Sequence, residues 1–289
     1  MSLRPIRRSA AVAALVLVAA VAAIALHAIV PAAAPEEIFD SFLVRTLGFP
    51  FVASLYFILL FAHCSASTLR FSRRSAASPA RTGAALGAGF ALLYMVGMQE
   101  VVVEASPFAA WGREFVAYQA YMGFADALPA LLLCLALGRF FLAPVRAAVS
   151  AAAPDETKRA APFLSPLPFF MLAVGSVRTA SNLLGVIASD LARYPLQTAV
   201  WNFALGAAFG LSYAIIRPLH AGGARRLVRD LALIYGLNWA IFNAFIGLIF
   251  AGVMPQMLLR SAIDTAAMAG AALLYERRVA VNREARHEG

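Results

Sequence analysis

Eight separated runs of about twenty mainly apolar residues leave this chain few ways to fold. A helix rises 1.5 Å per residue, so about 20 residues cross roughly 30 Å of hydrocarbon. The runs are Ser9–Val30, Phe49–Thr68, Gly83–Val103, Tyr121–Leu142, Phe163–Ser189, Leu196–Arg217, Leu231–Met254 and Leu258–Tyr275. In lipid each run must satisfy its own backbone hydrogen bonds, and a helix does so. The expectation is an all-α polytopic membrane protein of about eight transmembrane helices, with 1–289 forming one membrane domain. Composition agrees: 62% of residues are hydrophobic, 13% are charged and mean hydropathy is +0.78. A soluble domain carries roughly a quarter charged residues. A disordered chain and a disulfide-stapled module are excluded. Cys64 and Cys134 both fall inside apolar runs and read as buried thiols.

Charge placement orients the runs. With the N-terminus inside, 19 of the 24 basic residues fall in inner segments and four, Arg45, Arg113, Arg193 and Arg260, in outer ones. That asymmetry follows the positive-inside rule and predicts N- and C-termini in the cytoplasm of a bacterial-type cell, with the chain in the inner membrane. The net charge of +9 then marks anionic inner-leaflet lipids as partners beside the bilayer itself, and no nucleic acid. The first run, followed by Pro31 to Pro35, resembles a signal peptide. Its apolar stretch exceeds the usual 7–15 residues of such a segment, so a retained helix is expected.

The segment Ala143–Pro162 reads as a basic, proline-containing inner loop joining halves 9–142 and 163–278. Asp126, Leu135 and Arg139 align without gaps on Asp264, Leu273 and Arg277. Tyr94 and Tyr235 lie similarly in the third helix of each half. Asp40, Arg45 and Pro50 resemble Asp190, Arg193 and Pro195 before the second. A 4+4 parallel repeat would relate the halves by an axis along the membrane normal. Glu36–Gly48 and Ser106–Met122 carry apolar and aromatic residues at helical spacing and read as short interfacial helices.

Ionisable groups in hydrocarbon are costly and need partners. Counted from the inner helix ends, Asp126, Arg178 and Asp264 each lie about 20 Å deep, with Asn243, Asn202, Gln99 and Glu100 within several ångströms of that level. Arg178 keeps its proton and therefore calls for a carboxylate, with Asp126 and Asp264 at matching depth. Asn182 lies one turn from Arg178. Arg260 lies one turn from Asp264 and is a rival partner for it. Glu100 is nearer the outer surface, where solvation is expected. His63 reads as a packing histidine or a proton relay, His27 marks the outer end of the first helix, and His220 and His287 fall in basic segments expected to be solvated. Pro129, Pro166 and Pro168 are candidate kinks.

No metal-ligand spacing, nucleophile elbow or phosphate loop is present, so no cofactor or metal is expected. The polar layer supports a small permease that handles an anionic or proton-coupled small-molecule ligand. An intramembrane enzyme acting on a lipid or isoprenoid is a second reading, with one carboxylate as general acid. A non-catalytic assembly or sensory subunit, with the layer as interhelical glue, is a third.

Overall fold

Prolines in the first turns set where most of the long helices begin. The computed structural model describes residues 3–30, 39–102, 112–142 and 164–287. Its helices are α1 (Leu3–Ile29), α2 (Phe42–Leu47), α3 (Phe49–Ser72), α4 (Pro79–Gly97), α5 (Gly112–Ala136), α6 (Pro166–Leu183), α7 (Pro195–Ile216), α8 (Ala224–Leu231), α9 (Leu237–Ile249) and α10 (Met254–His287). A proline occupies the first or second position of α3, α4, α6 and α7, where its missing N–H costs nothing. Pro166 and Pro168 therefore open α6 rather than kink it. Pro129 does lie inside α5. Ser41 and Ser78 cap α2 and α4 with their side chains.

Among the described residues there is no strand, and six helices are long and apolar enough to cross a membrane: 8–29, 49–72, 116–141, 195–219, 224–249 and 254–282. The other two expected runs correspond to α4 and α6, of 19 and 18 residues. Several boundaries differ from the hydropathy reading. α8, a π turn at Ala232–Gly236 and α9 run on from one another, so that segment starts a turn or more before Leu231. α10 continues beyond Tyr275. The segment from Gly112 to Met122 begins α5 instead of forming an interfacial helix, and 103–111 lie outside the described residues. So do 143–163, which hold the expected inner loop, and 36–38. The rest of the first interfacial segment contains α2, whose Phe42 is 78% exposed.

The exterior is apolar and the polar groups are inside. Leu17, Leu55, Leu132, Leu172 and Val200 are exposed, whereas Asp126, Arg178, Asn202, Asp230, Asn238 and Asp264 are buried. A soluble fold shows the opposite, and the pattern suits a multi-pass protein with lipid around it.

α1 packs on α3 and α5, and α4 on α5. Further along the chain α6 packs on α7 and α10, and α9 on α10. The contacts that join 42–141 to 166–287 include α4 with α7 and α3 with α9. Glycine permits the tightest approaches. A Cβ on Gly83 would sit 2.3 Å from the Cys134 carbonyl oxygen, joining α4 to α5, and one on Gly206 2.8 Å from the Phe170 carbonyl oxygen, joining α7 to α6. At the end of the bundle that holds the first turns of α1 and the basic turns, the α3–α4 and α7–α8 connections pair antiparallel at Ser75 and His220. Ala76 N–H donates to Leu219 O at 2.7 Å, and Ala221 N–H to Arg74 O at 2.8 Å.

Candidate functional site

Three elements from different parts of the chain build a buried charged cluster. α6 brings Arg178 within five residues of its C-terminal end. α10 brings Asp264. A 3-10 turn, Met98–Val102, continues α4 and brings Glu100. Arg178 Nη1 donates to Asp264 Oδ2 at 2.5 Å, and Nη2 donates to Glu100 Oε1. Arg260, one turn before Asp264 on α10, reaches Glu100 Oε1 with Nη1 at 3.2 Å and donates to Ala188 O at 3.4 Å. All four side chains are buried, none with more than 5% of its area exposed. Among the described residues, two guanidinium groups thus face two carboxylates.

Two tryptophans complete its walls. Trp239 on α9 donates Nε1–H to Asp264 Oδ2 at 2.9 Å. Trp201 on α7 lies with its ring 5.4 Å from the Arg178 guanidinium carbon, a cation–π contact. Its own Nε1–H donates to Val96 O at 3.0 Å, which fixes the ring. Among the described residues, none hydrogen-bonds to Arg178 Nε or to Asp264 Oδ1, both buried.

The asparagines lie beside this cluster in their own contacts. Asn202 Nδ2 donates to Asn182 Oδ1 at 2.9 Å and to Thr179 Oγ1 at 3.0 Å, tying α7 to α6. Asn182 Nδ2 donates to Ile187 O at 3.3 Å. Asn243 turns back on its own helix, to Trp239 O at 2.9 Å. Gln99 is half-buried next to Glu100.

Four expectations change. Glu100 is not solvated: it is buried and bound to both arginines. Arg260 takes Glu100 as its partner, while Asp264 goes to Arg178. Asp126 does not join the cluster; it faces His27 of α1, with Oδ1 3.4 Å from Nε2. His220 is buried and its Nε2 is 3.0 Å from Asp230 Oδ2. The side chain of His287 lies outside the described residues. Equal depth placed Asp126 beside Arg178 in the sequence reading, but depth says nothing about which side of a bundle a helix occupies.

His63 of α3 is half-buried and contacts the π turn and α9. Leu237 N–H bonds to Ala232 O, one residue further back than in an α-helix, which passes over the Leu233 carbonyl. His63 Nε2 meets that carbonyl oxygen at 3.1 Å. Its Nδ1 accepts from Asn238 Nδ2 at 3.2 Å, and Asn238 Oδ1 accepts from Tyr94 at 2.8 Å. At the basic end, Asp230 accepts from Arg74 at 2.6 and 2.8 Å, with Arg70 and Arg229 each 3.9 Å away. Arg217 Nε donates to Glu276 at 2.7 Å, and Tyr213 hydrogen-bonds the same carboxylate.

Sequence reasoning missed His27, Trp201 and Trp239 as members of charged contacts. Their apolar bodies hide them among membrane-helix aromatics, and only the tertiary neighbours distinguish them. Among the described residues no group of three His, Cys, Asp or Glu side chains could hold a metal ion. Compared with family models, curated proteins and solved structures, the chain matches none of them.

Proposed function

We propose that the chain is a small permease of the bacterial inner membrane whose Arg178 cluster recognises an anionic solute. Eight helices cross in this reading. α4 and α6 span about 28 and 27 Å at 1.5 Å per residue, close to the hydrocarbon thickness. Both termini are cytoplasmic, because the arginine-rich turns gather at one end, where they meet anionic lipid.

The observation that carries the reading is the cluster with its two unspent polar atoms. A guanidinium kept in hydrocarbon solely to join helices costs more than neutral hydrogen bonds would. Arg178 offers a planar donor face, and Glu100 and Asp264 are internal anions that an incoming carboxylate or phosphate can replace. Arg260 then neutralises the released Glu100.

Paired contacts support two parallel four-helix halves. The crossing contacts α4–α7 and α3–α9 exchange the third helix of one half with the second of the other. The connections at Ser75 and His220 exchange identical hydrogen bonds, as loops beside a two-fold axis along the membrane normal do. Each half also pairs an acid on its last helix with a base on its first: Asp126 with His27, and Asp264 with Arg178.

The test is uptake by proteoliposomes of labelled acetate, succinate and inorganic phosphate. At least one enters faster than into protein-free vesicles. Arg178→Lys keeps the charge but loses the planar fork, and that uptake falls at least tenfold. Equal rates for both proteins would remove this reading. The even charge balance of the cluster favours one rival, a structural clamp in an assembly subunit, which predicts no uptake by either protein.

A further inference from the structure

Three membrane-embedded or buried histidines can be compared by what their two ring nitrogens meet. A neutral imidazole has one N–H donor and one acceptor nitrogen. His63 fits that state: Nε2–H donates to the Leu233 carbonyl, and Nδ1 accepts from Asn238. His220 has Nε2 3.0 Å from Asp230 Oδ2, and its Nδ1 lies 3.0 Å from Gly222 N and 3.3 Å from Gly222 O.

His27 differs. Its Nδ1 lies 2.8 Å from the Ala23 carbonyl oxygen, which can only accept, so Nδ1 carries a hydrogen. In a neutral ring Nε2 would then be a bare acceptor. It faces Asp126 Oδ1 at 3.4 Å, and that atom accepts from no other described donor. Two lone pairs directed at each other in a buried place repel. One additional proton between them removes the conflict, either as imidazolium with carboxylate or as imidazole with carboxylic acid.

We propose that His27 and Asp126 form a proton-binding site that holds one exchangeable proton between Nε2 and Oδ1. The Asp126 side chain is 3% exposed and that of His27 is 24% exposed, so the imidazole provides the route for the proton to leave. Departure of the proton leaves neutral His27 and an Asp126 carboxylate with no bond linking them, and so loosens α1 from α5. Among the described residues no cation other than His27 is paired with Asp126. From α3, Tyr56 adjoins the pair as a buried phenol and Phe57 places its ring 5.2 Å from the imidazole. On α5, Gln119 is buried two turns from Asp126, and Tyr121 donates to Leu26 O at 2.7 Å. On α4 the only charged group is Arg81, near the opposite end. The 3-10 turn packed on α5 carries Glu100, which is bound to Arg178 and Arg260. The proton is held whether or not an anion enters at Arg178, so this proposal goes beyond that reading and fails separately from it.

The full-length protein in lipid nanodiscs, labelled with 15N-histidine, tests it. His27 resonances are identified by their absence in His27→Gln, and infrared spectra of the same samples report protonated carboxyl groups. At neutral pH the wild type shows either two ring N–H protons on His27 or a protonated carboxyl band. In Asp126→Asn, His27 retains only its Nδ1–H and the band is absent. The extra proton is lost in a single step as pH rises. A wild-type His27 with one ring N–H, together with no carboxyl band that Asp126→Asn removes, would overturn the proposal. That wild-type reading stands even where the variant fails to fold.

Discussion

Arg178 and Asp264 meet at 2.5 Å in the interior of the helix bundle and hold α6 to α10. Glu100 reaches the same guanidinium from the 3-10 turn after α4, so one side chain joins three elements. Removing it leaves two buried carboxylates with Arg260 as the remaining cation among the described residues. Arg178→Ala is therefore expected to destabilise the protein by about 3–5 kcal/mol, measured as a fall in the thermal midpoint in detergent. An unchanged midpoint would mean the carboxylates find other partners.

The glycine contacts make a graded prediction. Gly83→Ala places a methyl group 2.3 Å from the Cys134 carbonyl oxygen and must separate α4 from α5, at a cost of about 1–3 kcal/mol. Gly270, in the middle of α10, has nothing within 4 Å of its Cβ position. Gly270→Ala should be neutral or raise stability by up to about 1 kcal/mol through helix propensity. Thermal midpoints of the two variants measured side by side check the ordering.

The π turn after α8 gives His63 a structural task. His63→Ala leaves the Leu233 carbonyl without its side-chain donor and Asn238 Nδ2 with the Cys64 sulfur at 3.6 Å, which should cost about 1–3 kcal/mol. His63→Gln restores part of this. Hydrogen exchange across 232–238 is the measurement, and faster exchange in the alanine variant than in the glutamine variant is the expected result.

The pairing of the two basic connections can be tested by cross-linking. Residues opposite each other in an antiparallel pair have Cα atoms about 4.5–5.5 Å apart, within disulfide reach. Ser75→Cys combined with His220→Cys should oxidise readily in a background where Cys64 and Cys134 are serine. A reporter fused at Gly289 should read cytoplasmic in the same chain. A reporter on the other side would overturn the proposed orientation.

Much of the helix layout is written in hydropathy, because a membrane-length run has one satisfactory backbone solution. Six of the expected runs correspond to helices with enough length and apolar character. The other two correspond to α4 and α6, of 19 and 18 residues, which carry Arg81 and Arg178. Partner choice was not legible in the same way. Counting residues from a helix end gives depth, and depth grouped Arg178 with both aspartates. Which aspartate it meets depends on the neighbours of α6, and those are α7 and α10. Asp126 lies on α5, beside α1, and so it meets His27. Glu100 looked solvated because it follows the end of an apolar run. The 3-10 turn folds it back beneath Arg178 and Arg260.

The most direct measurement of the central claim separates binding from packing. Replacing a buried ion cluster with apolar residues of similar size often leaves stability intact. A variant carrying Glu100→Leu, Arg178→Met, Arg260→Met and Asp264→Leu should therefore melt within a few degrees of the wild type. Thermal midpoints of both proteins are then read against rising acetate, succinate and inorganic phosphate at constant ionic strength. Saturation one hundredfold above a dissociation constant stabilises by about 2.7 kcal/mol. The account predicts that at least one of these anions raises the wild-type midpoint by several degrees and leaves the apolar variant unmoved. Equal rises in the two proteins, or no rise in either, would contradict it.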